Sequence, residues 1–268
     1  MRDSNRMDNS TRLAMCREAN AQVWAGEAEL RPSGLVAGDD CLLLTATGLP
    51  VAYWNSGTVL RAPASLAQTL EAARDFFELH RLPYGCLLPS ELTACGQADI
   101  ATAGYAVAED PHDLMALATD ELVGAEMPAA LEIRTVRTTR EIAEHVAVVA
   151  ATLGPDNAAD DAALMQAFIA PQVGAPGYEL LTGYVDGWPV CAATGTRTEH
   201  TIGVFGVGTL PGHRRRGYGA AITRAVVEHG FADGAELAWL NPSEMAHRCY
   251  AALGFADLPG WSILSPQR

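Results

Sequence analysis

The sequence predicts a mixed α/β fold with a mixed sheet, organised as two domains of similar plan. Three observations predict it. Apolar runs with period-two alternation are interspersed with amphipathic runs of helical period along the chain. The second half, from residue 131, reads strand, two helices, hairpin, strand, helix, strand, helix, strand, and the first half reads in a similar order. A short segment with Gly and Pro, Gly-Ala-Glu-Met-Pro-Ala-Ala at residues 124–130, separates them. The expected organisation is a polar tail over residues 1–10, a first domain over 11–126 and a second over 131–268.

In the second half, Leu131–Val136 alternates as an opening strand. Thr138 followed by Glu141 has capping-box spacing, and Ile142, Val146 and Val149 continue a helix from it. A second helix is expected over Asp160–Ile169, ended by Pro171. Tyr178–Val185 and Pro189–Thr196 read as a hairpin turning at Asp186-Gly187, a favoured tight-turn pair. Thr201–Thr209 is a further strand, 215–230 an amphipathic helix stopped by Gly230, and Glu236–Leu240 a strand. Glu244–Leu253 is a helix stopped by Gly254, and Trp261–Leu264 closes as a strand.

In the first half, a helix is expected over Thr11–Ala25 and a hairpin from Cys41–Thr45 and Val51–Asn55 across Gly48. Thr58–Arg61 extends a strand. Ala64–His80 is a long helix with Leu66, Leu70, Ala73, Phe76 and Phe77 on one face. Tyr84–Leu88 is a strand, Glu91–Ala103 a helix, and Asp113–Leu117 a closing strand. Gly104-Tyr105 sits where Gly254-Phe255 sits in the second half.

Composition narrows the function. The chain has 268 residues and is 49% hydrophobic, enough for a sizeable core. No run of about 18 apolar residues is present, so no spanning helix is expected. The first ten residues are polar and charged with no apolar stretch behind them, which argues against a secretory leader and for a cytoplasmic protein. The formal net charge of -14 repels nucleic acid and anionic membranes on average. All 18 basic residues are arginine, which excludes a phosphate-loop lysine and a Schiff-base lysine. The six cysteines, Cys16, Cys41, Cys86, Cys95, Cys191 and Cys249, form no CxxC pair. Buried free thiols in a reducing compartment, and no structural zinc, are the expectation.

One segment carries chemistry. Val204–Thr209 is an apolar strand, Pro211-Gly212 a turn, and Arg214-Arg215-Arg216-Gly217-Tyr218-Gly219 a loop entering a helix. A helix start offers backbone N–H groups without intrahelical partners and partial positive charge. Gly217 and Gly219 let an anion reach the main chain, and the arginines add charge-assisted hydrogen bonds. Gly206-Val207-Gly208 opens like a dinucleotide fingerprint, but Pro211 stands where its third glycine is needed. A nucleic-acid patch fits poorly with an acidic chain lacking interleaved aromatics there. A solvated helix start remains the plain alternative for the motif taken alone.

The segment resembles motif A of the GCN5-related N-acetyltransferase (GNAT) family, in which a strand and a proline precede Arg-x-x-Gly-x-Gly. Here Pro211 is followed by Arg214, Gly217 and Gly219 at the family offsets. Ser243–Phe255 is similar to the family's motif B, Asn-x-x-Ala-x-x-x-Tyr-x-x-x-Gly-Phe, with Ala246, Tyr250, Gly254 and Phe255 in place. Ser243 stands at the Asn position, which removes a side-chain contact to the cofactor. The resemblance covers about residues 131–265, and the two-halved plan resembles tandem members of the family with a degenerate N-terminal copy.

The resemblance implies two GNAT-like domains, the C-terminal one with a splayed central sheet and an intact acyl-CoA site. Val207, Gly208 and Thr209 would offer main-chain groups to the pantetheine arm and the thioester carbonyl. Arg214, Arg215, Arg216, Gly217, Tyr218, Gly219 and Ala220 would hold the pyrophosphate, with Ser243 nearby. Tyr250 would protonate the leaving thiolate. Taken alone, Tyr250 reads first as a half-buried tyrosine packing on the sheet; inside the motif it reads as the acid. The implied co-substrate is acetyl-CoA, the acceptor a small-molecule or protein amine, and the attack direct, since no nucleophile suited to a covalent intermediate stands out.

The base is less marked. Glu199 and His200 precede the motif-A strand and could act directly or through water, though a solvated turn is the first reading of both. His213 lies in the phosphate loop. Asp156, Asp160 and Asp161 would give the acceptor side an acidic rim for a cationic amine, and surface solubilisation accounts for them equally well.

In the first half only Arg61-Ala62-Pro63 joins the strand to the long helix, so no CoA is expected there. Trp24, Tyr53, Trp54 and Tyr84 could instead wall the acceptor pocket, with core packing as the default. An exposed closing strand would offer an edge for a homodimer. Two other functions fit the same motifs, a non-catalytic acyl-CoA sensor and a mycothiol-synthase-like acetyltransferase.

Overall fold

The computed structural model describes residues 7–124, 127–153 and 161–267. In chain order the elements are α1 (Asn9–Glu29), β1 (Leu35–Gly38), β2 (Leu42–Ala46), β3 (Asn55–Val59), α2 (Leu66–His80), β4 (Gly85–Pro89), α3 (Ser90–Cys95), α4 (Gln97–Thr102) and β5 (Tyr105–Ala118). They continue with β6 (Glu132–Thr135), α5 (Thr139–Leu153), α6 (Ala162–Ile169), β7 (Tyr178–Val185), β8 (Trp188–Arg197) and β9 (Thr201–Thr209). The last are α7 (Tyr218–Ala232), β10 (Leu237–Leu240), α8 (His247–Ala252) and β11 (Ala256–Pro266). The fold is thus the expected mixed α/β. No helix among the described residues is long and apolar enough to cross a membrane.

Two compact units form, and each is discontinuous in sequence. One comprises Met1–Ala19 and Met115–Asp257, the other Asn20–Leu114 and Leu258–Arg268. The link at residues 124–130 therefore does not divide them by a single cut. The closing strand expected in the second half is built into the unit that holds Asn20–Leu114, where Trp261 pairs with Pro89 and Leu264 with Cys86. It lies between β4 and β5 and is no free edge, so the homodimer expectation loses the edge on which it rested.

In the unit holding residues 115–257, β9 is central. It is antiparallel to β8, which is antiparallel to β7, which is antiparallel to β6. On its other side β9 runs parallel to β10, and β10 pairs antiparallel with the Met115–Ala118 end of β5. The β7–β8 hairpin turns at Asp186 (φ 51°) and Gly187 (φ 80°), the two left-handed residues that such a turn requires. Thr138 and Glu141 cap α5 reciprocally: the Glu141 amide donates to Thr138 Oγ1 (3.3 Å), and the Thr138 amide donates to Glu141 Oε2 (2.9 Å).

Strand alternation puts α5 and α7 on opposite faces of this sheet. Leu181 joins the core with Ile222 and Val226 of α7, while its neighbour Thr182 meets His145 of α5. Full burial of a side chain such as Leu181 or Ile222 contributes about 1.5–3 kcal/mol.

The other unit orders its strands β1-β2-β3-β4-β11, with β3 and β4 parallel. Its core gathers Leu70, Phe77, Leu88 and Leu264. Phe77 stacks on Tyr84 at 4.4 Å between ring centroids. Trp24, Trp54 and Tyr84 are buried in this unit, while Tyr53 is exposed and lies edge-on to Trp24.

Two expectations fail here. Val51–Asn55 is not a strand: Ala52–Trp54 form a 3₁₀ turn and β3 starts at Asn55. The Asn55 side-chain amide donates to the carbonyls of Leu49, Val51 and Pro83 and so holds that turn. The single helix expected over Glu91–Ala103 is two, α3 and α4, broken at Gly96.

Candidate functional site

β9 carries a bulge in its second half. Ala192 of β8 faces Gly208 and Thr194 faces Phe205, so Ala193 alone opposes two residues, Gly206 and Val207. Gly206 takes φ +58°, a conformation that an L side chain rarely adopts. The parallel pairing to β10 covers only Thr201–Gly203. From Val204 onward β9 has no register partner in β10, and the strands part there. The backbone edge of Val207, Gly208 and Thr209 is thereby left for another hydrogen-bonding partner.

α5 closes over the same stretch. A methyl group built on Gly208 would meet Thr152 Oγ1 at 2.6 Å, so only glycine fits there. Thr152 is held by donating to Val149 O (2.7 Å).

Thr209 joins this strand end to the anion loop. Its carbonyl accepts from Arg214 Nε (3.0 Å), and its Oγ1 lies 3.4 Å from where a Gly219 Cβ would stand. Pro211–His213 is a 3₁₀ turn. Arg215 then takes φ 63° and Gly217 φ 80°, both left-handed, so the helix starts at Tyr218 and not at 215 as the periodicity suggests. Gly217 is the N-cap and supplies no side-chain cap. The first intrahelical bond is Ala221 N–H to Gly217 O (3.0 Å), which leaves the amides of Tyr218, Gly219 and Ala220 without intrahelical acceptors. Arg214, Arg215, Arg216 and Gly217 are exposed around them. Bare amides, a positive helix end and three arginines make a seat for a diphosphate-like anion.

Tyr250 projects from α8 and is 6% exposed. It shares the core with Tyr218 of α7, and Val207 packs against that same cluster. Burial, with a smaller contribution from the adjoining Cys249 thiol, pushes its hydroxyl pKa well above the ordinary tyrosine value. The group is therefore a proton donor at neutral pH and not a base. Ser243 is exposed, and its carbonyl accepts from the Ala246 and His247 amides at the entry to α8.

Other expected residues stand elsewhere. Glu199 is 80% exposed in the β8–β9 turn, at the opposite end of β9. At roughly 3.3 Å per strand residue, the start of β9 beside that turn lies about 23 Å from Gly208. The structure does not bring Glu199 to the site. His200 is beside it, 3.3 Å from Glu236. His213 lies in the loop, with its ring 6.4 Å from that of Tyr218. Asp161 caps α6 by accepting from the Ala163 amide (2.8 Å). Asp156 and Asp160 lie outside the described residues. All six cysteines are free, and burial pushes the Cys16, Cys86 and Cys191 thiols up to about 12. Among the described residues no group of three or more His, Cys, Asp or Glu could hold a metal ion.

Sequence reasoning missed Val149, Thr152 and Thr194, which wall the bulge. The one available signal was a glycine inside a strand pattern, Gly206, which marks bulges and close backbone approach.

The corresponding place in the other unit is built differently. Parallel pairing of β3 and β4 spans Ser56–Thr58, most of β3. The amide of Gln68 at the start of α2 donates to Ser65 Oγ, so a side chain already caps that helix.

Residues 151–255 match the model of the acetyltransferase (GNAT) family. No curated protein matches. Among solved structures, the chain is similar to a GCN5-related N-acetyltransferase from Kribbella flavida, with TM-score 0.75, 23% identity and 95% of each chain covered. It is similar also to a functionally unknown conserved protein from Staphylococcus epidermidis, with TM-score 0.66, 16% identity, and 90% of this chain and 97% of that one covered. A tandem GNAT protein from the clavulanic acid biosynthesis pathway has TM-score 0.58 and 14% identity, with 87% of this chain and 83% of that one covered. Those identities carry the fold and no more. With a split β9–β10 pair, an open helix start and the family match over the same stretch, residues 151–255 form a domain of the GNAT acetyltransferase family.

Proposed function

We propose that this chain transfers an acetyl group from acetyl-CoA to a primary amine, by direct attack within a ternary complex. The observation that carries the reading is the continuity of two unfilled backbone surfaces. The unpaired edge of β9 at Val207–Thr209 runs, through the Thr209–Arg214 bond, into the uncapped start of α7.

In this reading the amides of Tyr218, Gly219 and Ala220 bind the pyrophosphate with Arg214, Arg215 and Arg216, while Gly217 keeps the approach clear. The β9 edge binds the pantetheine arm and polarises the thioester carbonyl. The amine nitrogen forms a bond to the carbonyl carbon, the carbon–sulfur bond breaks, and Tyr250 gives its proton to the departing sulfur. The amine's own proton leaves to water or to a base that is not Glu199.

The placement of Glu199 is also what favours a second reading, in which the domain binds acyl-CoA without turning it over. Thermal-shift measurement with acetyl-CoA tests binding. Release of free CoA in the presence of a library of amines tests turnover. A melting point unmoved by acetyl-CoA contradicts both readings; a raised one with no CoA release under any amine supports the sensor.

A further inference from the structure

The face of the sheet that carries α7 continues past the anion seat. Leu181 packs with α7, so on an alternating strand Gly183 and Val185 of β7 share its face. A methyl group built on Gly183 would meet Cys191 Sγ at 2.5 Å and Leu131 Cδ1 at 2.9 Å, which puts those two side chains on that face as well. Trp188 pairs with Val185 across the hairpin, and residues directly opposite project to the same face. Trp188 therefore stands on the side of the sheet that carries the open start of α7. It is also at the same end. Cys191 pairs with Thr209, and Thr209 Oγ1 lies 3.4 Å from where a Gly219 Cβ would stand. From that pair, Trp188 is three residues further along β8, roughly 10 Å away.

The ground between them is apolar. The turn Pro128–Leu131 is closed by the Leu131 amide, which donates to Pro128 O (2.9 Å). Pro128 Cγ lies 3.6 Å from where a Gly217 Cβ would stand, and Leu131 and Val185 pack against the core beneath α7. Trp188 itself is 74% exposed, whereas Trp24, Trp54, Trp239 and Trp261 are buried. A single exposed apolar side chain is ordinary. This one is set apart by its place: an anion seat, an apolar floor and a bare indole follow one another over roughly 10 Å. An aromatic base carried on a diphosphate has that sequence of chemistry.

We propose that Trp188 is the platform on which the adenine of acyl-CoA stacks. The inference rests on the acyl-CoA reading above and deepens it, because it concerns the nucleotide end of the molecule, away from the reacting thioester. Trp188 binds cofactor here and takes no part in acyl or proton transfer. Removing an aromatic platform from beneath a base lowers affinity by roughly 5–150-fold.

Calorimetric titration of the full chain with acetyl-CoA and with acetyl-4′-phosphopantetheine, which keeps the thioester arm and lacks the nucleoside, tests this. Trp188→Ala should weaken acetyl-CoA by about tenfold or more and leave acetyl-4′-phosphopantetheine within about twofold of the wild type. Trp188→Tyr keeps an aromatic face and should recover most of the lost affinity. In the wild type, saturating acetyl-CoA should quench the emission of this exposed indole, and acetyl-4′-phosphopantetheine should not. A Trp188→Ala protein that binds acetyl-CoA as the wild type does overturns the platform and leaves the acyl-CoA reading standing. So does equal weakening of both ligands, or emission unmoved by saturating acetyl-CoA. Failure of the wild type to bind acetyl-CoA overturns the reading and the platform together.

Discussion

His145 offers a quantitative test of how α5 is held on the sheet. It is fully buried on α5, and its Nδ1 lies 3.0 Å from Thr182 Oγ1 of β7. Its Nε2 has no protein partner. Burial lowers its pKa from 6.5 to about 4. The native state thus holds a neutral imidazole where the unfolded chain holds one that protonates near 6.5. Above pH 6.5 neither form binds the proton and the full stability is present. As the pH falls from 6.5 to 4, the unfolded chain takes up a proton that the native state refuses, so stability falls. At 1.36 kcal/mol per unit, the loss over that window is roughly 3 kcal/mol, complete near pH 4. Urea unfolding at several pH values between 7.5 and 4, on the wild type and on His145→Gln, measures it. The difference between the two proteins cancels the carboxylates that titrate in both. The wild type should lose about 3 kcal/mol more than the variant over the window. Parallel pH dependences would refute the reasoning, because they would mean that His145 is not buried neutral against Thr182.

Three further outcomes follow from the site. Tyr250→Phe should lower kcat by about 10²-fold or more with little change in the KM for acetyl-CoA, measured as CoA release under a turning-over amine. Gly208→Ala should destabilise the fold by about 1–3 kcal/mol, because its Cβ would meet Thr152 at 2.6 Å. Thr152→Ala in the same chain should restore most of that loss, a coupling that a double-mutant cycle of melting points reads directly. Glu199→Gln should leave kcat and its pH profile within about twofold of the wild type, since the residue stands in the turn before β9, whose start is about 23 Å from Gly208.

Local chemistry made much of the second half legible. Asp186-Gly187 adopts the two left-handed conformations that a tight hairpin needs. Thr138 and Glu141 sit three apart and cap each other. Arg214, Gly217 and Gly219 carry their meaning in spacing alone. What stayed hidden depends on partners distant in the chain. β11 alternates like any closing strand, and nothing within Trp261–Leu264 says that it will pair with Cys86–Pro89. β1 is four residues without alternation, ordered by its pairing to β2. The turn before β3 is made by one side chain, Asn55, reaching three carbonyls. The start of α7 was misplaced by three residues because periodicity does not register the left-handed backbone at Arg215 and Gly217.

The central claim is that open amides at the start of α7 seat a diphosphate. Gly217→Val tests it most directly, by calorimetric titration with acetyl-CoA. A methyl on Gly217 would stand 3.6 Å from Pro128, so space permits the change and the backbone bears the cost. With φ at 80°, that cost is about 1–2 kcal/mol, and the melting point should fall by a few degrees in a protein that stays folded. Its side chain would stand in the anion's approach, and affinity for acetyl-CoA should fall by about 100-fold or more, equivalent to about 2.7 kcal/mol. A folded Gly217→Val protein that binds acetyl-CoA as the wild type does would contradict the account.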